Sequence, residues 1–166
     1  MSGPHILVVC TANICRSPVA EALLREQLQR AGLVDWTISS AGTWAAGGHP
    51  ASQFSVMLLE ERGLDIQGHR SQPVTGLLLA QCDLVLCMET AHQQELQEAF
   101  PAHRDKIYTL RQIVDERGSV PDPYGGSRRQ YERMVTELDQ LIEAGFSRIQ
   151  KLAWENYQKR GGDGSS

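Results

Sequence analysis

The fold of this chain is indicated by residues 5–18, which read HILVVCTANICRSP. After His5 the first residues are apolar and do not alternate with polar ones, which is typical of a strand buried on both faces of a parallel sheet. Ser17 and Pro18 mark a helix start, because Ser suits the N-cap and Pro suits the first helical position. The stretch therefore predicts a strand, a short loop and a helix.

Strand and helix patterns alternate along the rest of the chain. Further strand patterns lie at residues 36–40, 83–88 and 107–110. Apolar residues keep helical spacing at residues 19–31, 54–63, 73–79, 90–96 and 131–152. This alternation predicts the α/β class, with a single doubly wound, flavodoxin-like parallel sheet of about four strands flanked by helices. Such sheets bind ligands at the carboxyl ends of their strands, which is where Cys10 lies.

Length and composition are those of one globular domain. The chain has 166 residues, of which 41% are hydrophobic and 22% are charged, and its formal net charge is −4. These values exclude a disordered chain and a disulfide-dense miniprotein. A protein without excess positive charge is not expected to bind nucleic acid or an anionic membrane surface. Residues 159–166 read as a polar tail, which we expect to be disordered.

The sequence also indicates the compartment. No run approaches the roughly 20 apolar residues of a membrane span, and the N-terminus has neither a basic leader nor a small-residue cleavage site. The four cysteines are Cys10, Cys15, Cys82 and Cys87. Their spacing fits no four-ligand zinc site, so we expect reduced thiols, no metal and a cytoplasmic location. We also expect a monomer.

Cys10 and Arg16 are separated by five residues, between the predicted strand and the helix start. A loop that runs into a helix N-terminus directs several backbone N–H groups at one place and adds the positive end of the helix dipole. This concavity suits a tetrahedral dianion, and the Arg16 guanidinium can hold two phosphoryl oxygens. The same positive field favours the thiolate form of Cys10, the nucleophilic form, and Ser17 can donate its hydroxyl to that thiolate.

The Cys–Arg pair alone is a weak signal. A Cys at the end of a buried strand is usually a small core residue, and an Arg at a helix start usually faces solvent. The strand–loop–helix context favours the chemical interpretation. Phosphate chemistry also needs a proton for the leaving group, and the candidate acid is Asp122 in the segment VPDPYGG, residues 120–126. An Asp-Pro pair in isolation indicates only a turn.

Residues 9–18, VCTANICRSP, resemble the signature of the low-molecular-weight protein tyrosine phosphatase family. Asp122-Pro123-Tyr124 resembles the general-acid loop of that family, and segments at 40–43, 68–71 and 83–88 are also similar to family blocks. The resemblance extends from about Ile6 to Ile149. It implies one phosphatase domain over residues 5–158 that removes phosphate from phosphotyrosine on proteins, so that the expected partner is a phosphorylated protein.

The resemblance also implies a role for individual residues. Cys10 attacks phosphorus and forms a cysteinyl-phosphate, and Asp122 first protonates the leaving group and then activates water. Asn13 braces the loop and Ser17 helps to hold the thiolate. The phosphate-binding residues are Thr11, Ala12, Asn13, Ile14, Cys15, Arg16 and Ser17. No metal or other cofactor is implied, because Arg16 and the loop amides neutralise the charge.

Four further residues near these motifs carry expectations. Ala12 stands where the family usually has Gly, and if that position needs a positive φ, Ala costs roughly 1 kcal/mol. Cys15 is implied to form a reversible disulfide with an oxidised Cys10, although a spare buried thiol is the plainer interpretation. His69 and Glu89 lie in or beside matching blocks, and we expect them to hydrogen-bond to the backbone rather than to catalyse.

Ile14, Trp44 and Tyr124 bear on the identity of the phosphorylated side chain. The family includes a protein-arginine phosphatase branch, which this chain resembles at 104–106 and 122–127, and that branch typically has Thr at the position of Ile14. An apolar β-branched side chain packs against a phenyl ring but leaves guanidinium N–H groups unpaired, so Ile14 favours phosphotyrosine. Trp44 and Tyr124 are implied to form the walls of an aromatic slot. Alternatively, Ile14 only fills the apolar underside of the loop of residues 11–15. In the same way, Trp44 could pack beneath the Gly-rich loop in which it lies.

Other functions remain as alternatives at this point. A protein-arginine phosphatase is the nearest one. An arsenate reductase of the same fold would need two relay cysteines on a mobile segment, whereas Cys82 and Cys87 lie across a predicted core strand. A non-catalytic phosphoprotein-binding module would keep Arg16 and the loop amides but could dispense with Cys10 or Asp122.

Overall fold

The computed structural model describes residues 3–161. Within that range it contains four strands, β1 (His5–Cys10), β2 (Thr37–Gly42), β3 (Leu84–Cys87) and β4 (Ile107–Thr109). All pair in parallel, in the order β2-β1-β3-β4. The predicted α/β class and strand number are confirmed, and the strands lie within three residues of the predicted ranges.

Six α-helices connect and follow these strands in the described range: α1 (Arg16–Arg30), α2 (Gln53–Glu60), α3 (Gly76–Gln81), α4 (Thr90–Ala99), α5 (Leu110–Ile113) and α6 (Arg128–Lys159). A 3-10 helix covers Pro101–Lys106. The helices cover both faces of the sheet, as the doubly wound arrangement requires.

Strand β1 shows why the sequence folds in this way. Ile6 and Val8 belong to the core on the face of α1 and α6, whereas Leu7 and Val9 belong to the core on the face of α3 and α4. All four side chains are completely or almost completely buried. A strand buried on both faces must be apolar at every position, which explains the absence of alternation.

The starts of α1 and of the third helix differ from the prediction. The prediction that Ser17 is the N-cap of α1 is wrong, because α1 begins at Arg16 and Cys15 occupies the N-cap position. The hydroxyl of Ser17 is instead hydrogen-bonded inside the protein, as described below. The third helix begins at Gly76 rather than at Pro73, which pairs with Gly42 at the end of β2.

The C-terminal helix is longer than predicted. Ser127 caps α6 by accepting a hydrogen bond from the backbone N–H of Gln130, and the helix continues to Lys159. Helical structure therefore extends one residue into the segment predicted as a disordered tail. Residues 162–166 lie outside the described residues. No helix in the described part of the chain is long and apolar enough to cross a membrane.

Candidate active site

The candidate site is the loop of residues 11–15, which connects the carboxyl end of β1 to the first turn of α1. The segment after β2 supports it, because Thr43 donates a backbone hydrogen bond to the carbonyl of Cys10 (3.0 Å) and Trp44 donates one to that of Thr11 (2.9 Å). The two segments approach closely: a Cβ built on Gly42 would overlap the carbonyl oxygen of Thr11. A glycine is therefore needed at the end of β2.

Asn13 shapes the loop. It is completely buried and has a φ of 60°, a left-handed conformation that Asn tolerates better than most residues. Its side-chain oxygen accepts from the backbone of Gln72 (2.9 Å), and its amide nitrogen donates to Ser17 Oγ (2.7 Å) and Ser40 Oγ (2.9 Å). The strain considered for Ala12 does not arise, because its φ is not positive.

Ser17 connects Asn13 to the thiol of Cys10. Its Oγ lies 3.0 Å from Cys10 Sγ while it accepts the hydrogen bond from Asn13. Because Asn13 occupies an acceptor position of the hydroxyl, the proton of Ser17 is free to point at the sulfur. A hydroxyl that donates to a thiolate stabilises the charged form. The position of Ser17 inside the first helical turn thus serves the sulfur and not the helix end.

The two loop cysteines have different surroundings. Burial raises the pKa of the Cys15 thiol, whose sulfur lies 3.3 Å from the hydroxyl of Tyr131. A raised pKa keeps Cys15 protonated at neutral pH and makes it a poor nucleophile. Cys10 has the donor that a thiolate requires, so Cys10 is the better candidate.

Arg16 is a buried cation, only 1% exposed. Its Nη1 donates to Glu89 Oε2 (2.6 Å) and to the carbonyl of Val120 (2.8 Å). Its Nη2 lies 3.3 Å from Thr11 Oγ1 and 3.6 Å from Asp122 Oδ2. Its Nε is buried and has no hydrogen-bond partner among the described residues. A buried N–H without a partner is costly, so this donor points to an anionic ligand.

Asp122 reaches the loop from the segment that precedes α6. One carboxylate oxygen accepts a hydrogen bond from the backbone of Tyr124 (3.1 Å), and the other faces the Arg16 guanidinium. The Arg16 bond to the Val120 carbonyl ties this segment to the loop. Because Asp122 follows Val120 by two residues, this bond holds the Asp122 carboxyl group at the same cavity as Cys10.

A cavity of about 240 Å³ lies between the loop and the Asp122 segment. It is lined by Cys10, Thr11, Ala12, Ile14, Cys15, Arg16, Asp122 and Tyr124. Of the other predicted residues, Asn13 and Ser17 are buried and hold the loop from within. Trp44 does not line the cavity; its side chain is 87% exposed, and its backbone is bonded to Thr11.

Three further residues support the loop, and the sequence analysis anticipated them to different degrees. His69 contacts the backbone as expected, with Nε2 2.6 Å from the carbonyl of Asn13. Glu89 does not act on the backbone alone, because it forms the ion pair with Arg16. His92, 2.8 Å from Thr11 Oγ1, was missed. In the sequence, a Glu followed three residues later by His indicates only a helix start. The contact of His92 with Thr11 joins distant segments, so no local sequence pattern predicts it.

The described residues offer no cluster of three or more His, Cys, Asp or Glu side chains that could hold a metal ion. The positive groups around the cavity are the Arg16 guanidinium and the N-terminus of α1. Together with a nucleophilic sulfur and a carboxyl group, they can bind a phosphoryl dianion and transfer it without a metal.

Comparisons with known proteins agree with this chemistry. The family model described as "Low molecular weight phosphotyrosine protein phosphatase" matches residues 5–155. The probable low molecular weight protein-tyrosine-phosphatase EpsP of Ralstonia nicotianae is 37% identical over 147 residues, covering 89% of this chain and 97% of that protein. The protein-arginine-phosphatase of Bacillus subtilis is also 37% identical over 147 residues, covering 88% of this chain and 97% of the relative.

Solved structures of phosphatases are also similar to this chain. The YwlE arginine phosphatase from Geobacillus stearothermophilus has a TM-score of 0.82 at 36% identity, covering 89% of this chain and 94% of its own. Vibrio vulnificus Wzb in complex with benzylphosphonate has a TM-score of 0.78 at 32% identity, covering 85% of this chain and 95% of its own.

Proposed function

The chain belongs to the low molecular weight phosphotyrosine protein phosphatase family, and we propose that it hydrolyses phosphotyrosine on proteins through a cysteinyl-phosphate intermediate. The observation that carries this proposal is the buried Arg16 guanidinium, whose Nε has no partner among residues 3–161, beside the Cys10 sulfur and opposite Asp122. Arg16 and the loop amides bind the phosphoryl oxygens, with the loop residues Thr11 to Ser17 as the phosphate-binding segment. We assign one phosphatase domain to residues 5–158.

The first step transfers the phosphoryl group to sulfur. The Cys10 thiolate attacks phosphorus, an S–P bond forms and the P–O bond to the tyrosine oxygen breaks. Asp122 gives its proton to the leaving phenolate, so that tyrosine departs as a neutral phenol. Negative charge that develops on the equatorial oxygens is stabilised by Arg16 and the loop amides.

The second step returns the enzyme to its starting state. The Asp122 carboxylate takes a proton from water, the water oxygen attacks phosphorus and the S–P bond breaks. Inorganic phosphate leaves, and Cys10 is a thiolate again. Ser17 Oγ, 3.0 Å from Cys10 Sγ, supports this leaving thiolate as it supported the attacking one.

Loss of the nucleophile tests this proposal. Replacement of Cys10 by Ser is expected to lower turnover of p-nitrophenyl phosphate by at least about 10⁴-fold while inorganic phosphate still binds. Turnover at a wild-type rate in this variant would contradict the assignment of Cys10.

Phosphotyrosine is preferred over phosphoarginine on the basis of Ile14, which lines the cavity. Its apolar side chain offers contact to a phenyl ring and no hydrogen-bond acceptor to a guanidinium. Tyr124, which lines the cavity and is 70% exposed, is proposed as the wall that holds the ring, whereas Trp44 is exposed outside the cavity lining.

Phosphoarginine is the second candidate substrate, because the arginine phosphatase of Bacillus subtilis is as similar to this chain as the Ralstonia relative. The two substrates are distinguished by kcat/KM on matched phosphotyrosine and phosphoarginine peptides. The wild type is expected to prefer phosphotyrosine by about tenfold or more, and Ile14→Thr to shift the ratio towards phosphoarginine. A wild-type preference for phosphoarginine would overturn the substrate assignment.

Other functions fit the structure less well. Cys82 and Cys87 are completely buried, and burial raises the pKa of Cys82 to about 12. They are therefore poor relay thiols for an arsenate reductase. A module that only binds phosphoproteins would not need both Cys10 and Asp122 at one cavity. We also propose that the protein acts as a monomer in the cytoplasm, where the thiol on which the chemistry depends stays reduced.

A further inference from the structure

The side chain of Thr11 has two hydrogen-bonding neighbours at the edge of the cavity. Its Oγ1 lies 2.8 Å from His92 Nε2 and 3.3 Å from Arg16 Nη2. Arg16 is always a donor, so the Thr11 oxygen accepts that hydrogen bond. The direction of the Thr11 hydroxyl proton therefore depends on which nitrogen of His92 carries hydrogen.

The backbone fixes the tautomer of His92. The N–H of Glu89 donates to His92 Nδ1 at 3.1 Å, so Nδ1 carries a lone pair and the proton is on Nε2. His92 is only 3% exposed, and burial lowers its pKa to about 4, which keeps the ring neutral at pH 7. His92 Nε2 therefore donates to Thr11, and Glu89 Oε2 lies 3.5 Å from the same nitrogen.

A threonine hydroxyl has two acceptor positions and one proton. Both acceptor positions of Thr11 are taken by donors, one from His92 and one from Arg16. The remaining proton must point to a third group, and Thr11 lines the cavity together with Cys10. Arg16 Nη2 and Thr11 Oγ1 are only 3.3 Å apart. An anion oxygen bound by Arg16 Nη2 would therefore lie within reach of the Thr11 hydroxyl.

We propose that the Thr11 hydroxyl donates a hydrogen bond to a phosphoryl oxygen bound in the loop, and that His92 is the positioning residue that holds this hydroxyl as a donor. The inference rests on the proposed function and adds a side-chain donor to the backbone amides of the loop. The bond is made to a dianion, so it is stronger than a bond between neutral groups. Glu89 serves both parts, because its carboxylate orients Arg16 and its backbone N–H sets the His92 ring.

The first experiment removes the hydroxyl proton. Thr11→Val is expected to weaken competitive inhibition of p-nitrophenyl phosphate turnover by inorganic phosphate by about tenfold and to lower kcat/KM by a similar factor. Thr11→Ser, which keeps the hydroxyl, is expected to lose less than about threefold. The matched control is Thr37→Val. Thr37 is exposed at the start of β2, whereas the site lies at the other end of this strand, so the control is expected to change neither the phosphate inhibition nor kcat/KM.

A purely structural role for Thr11 gives a different result. In that case Thr11→Val lowers the unfolding temperature by leaving His92 Nε2 unpaired, but the inhibition constant for phosphate stays within twofold of wild type. That outcome would overturn the inference. If Thr11→Val does not fold, Thr11→Ala, which also removes the hydroxyl, takes its place in both experiments.

The second experiment isolates His92. In His92→Leu the side chain still fills much of the buried space of the ring, but it has no N–H and can no longer donate to Thr11. We expect phosphate inhibition to weaken about threefold in the wild-type background. In the Thr11→Val background the same change is expected to have no further effect, since the hydroxyl is already absent.

The two variants together separate the inference from the proposed function. An equal loss from His92→Leu in both backgrounds would show that His92 acts by another route and would overturn its positioning role. Turnover that persists in Cys10→Ser would instead contradict the proposed function itself. Turnover that requires Cys10 but is insensitive to Thr11→Val would leave the function intact and contradict only the inference.

Discussion

Two buried charges occupy opposite ends of the sheet. Arg16 follows β1 at the carboxyl ends of the strands, Asp83 precedes β3 at the other end, and each is only 1% exposed. Asp83 accepts from the backbone N–H of His5 (2.8 Å) and from Nε and Nη2 of Arg160 (2.7 and 3.1 Å). Both of its carboxylate oxygens have partners. Arg16 also has partners, but its Nε has none among the described residues.

The difference distinguishes a structural charge from a functional one. A buried ion that is paired on every side fixes the fold, and here Arg160 fastens the end of α6 to the start of β3. A buried ion that keeps an unused donor is costly to the fold, and a bound anion would supply the missing acceptor. Substitutions at the Asp83 end should therefore change stability, and substitutions at the Arg16 end should change activity.

Replacement of the two arginines by lysine is expected to give the largest contrast. Arg16→Lys keeps the charge but loses the planar fork, so kcat/KM for p-nitrophenyl phosphate should fall by about 10³-fold. Arg160→Lys, the matched control at the other end, should keep kcat/KM within about twofold. Steady-state kinetics measure both. Activity within tenfold of wild type in Arg16→Lys would break the distinction between the two ends.

Removal of the Asp83 carboxylate is expected to lower stability rather than activity. Asp83→Ala leaves the His5 N–H and the Arg160 guanidinium without their acceptor, so the free energy of unfolding should fall by about 3 kcal/mol. Urea denaturation measures this loss. At a temperature where the variant is folded, kcat/KM should stay near the wild-type value, and a loss comparable to that of Arg16→Lys would contradict a purely structural role.

The carboxylate at the active end should behave in the opposite way to Asp83. Asp122 is partly exposed and lies 3.6 Å from Arg16 Nη2, so Asp122→Ala should change the free energy of unfolding by less than about 1 kcal/mol. Turnover of aryl phosphates should fall by about 10²-fold. The loss should grow with the pKa of the leaving phenol, because a poor leaving group needs the proton most. An equal loss for all leaving groups would rule out the acid role of Asp122.

The sequence predicts part of the active end of the sheet and misses the rest. The strand, the loop and the positions of Cys10 and Arg16 follow from local patterns within residues 5–18. An Asp-Pro pair alone indicates only a turn, so the acid role of Asp122 depended on the family resemblance. The N-cap rule misplaced Ser17, because it considers only the helix end, whereas the hydroxyl is hydrogen-bonded to the Cys10 sulfur and to Asn13.

Contacts between distant segments could not be predicted in the same way. Glu89 reaches Arg16 and His92 reaches Thr11 across 73 and 81 residues, because β3 is placed beside β1 in the sheet. Strand order is a property of the whole fold and leaves no periodic signal. Helix α5, with four residues, is likewise too short for helical periodicity to predict.

The pH dependence of stability is the smallest expected effect, and it compares a histidine at each end. Burial lowers the pKa of His92 from 6.5 to about 4, and burial also lowers that of His5, against the opposing charge of Asp83. A lowered pKa means that the unfolded chain binds more protons than the folded protein between pH 6.5 and 4, so the free energy of unfolding falls as the pH falls through this window. Above pH 6.5 neither group contributes a slope.

Each histidine is tested by its glutamine variant. His92→Gln should remove on the order of 1 kcal/mol of the loss of stability between pH 6.5 and 4, because the more strongly shifted group no longer titrates. His5→Gln, the matched control, should remove less, since Asp83 partly offsets the effect of burial there. Urea denaturation at a series of pH values measures both slopes. If the slope of the free energy of unfolding against pH decreases more in His5→Gln than in His92→Gln, the histidine that causes most of the pH dependence is the one at the Asp83 end and not the one beside the phosphate loop.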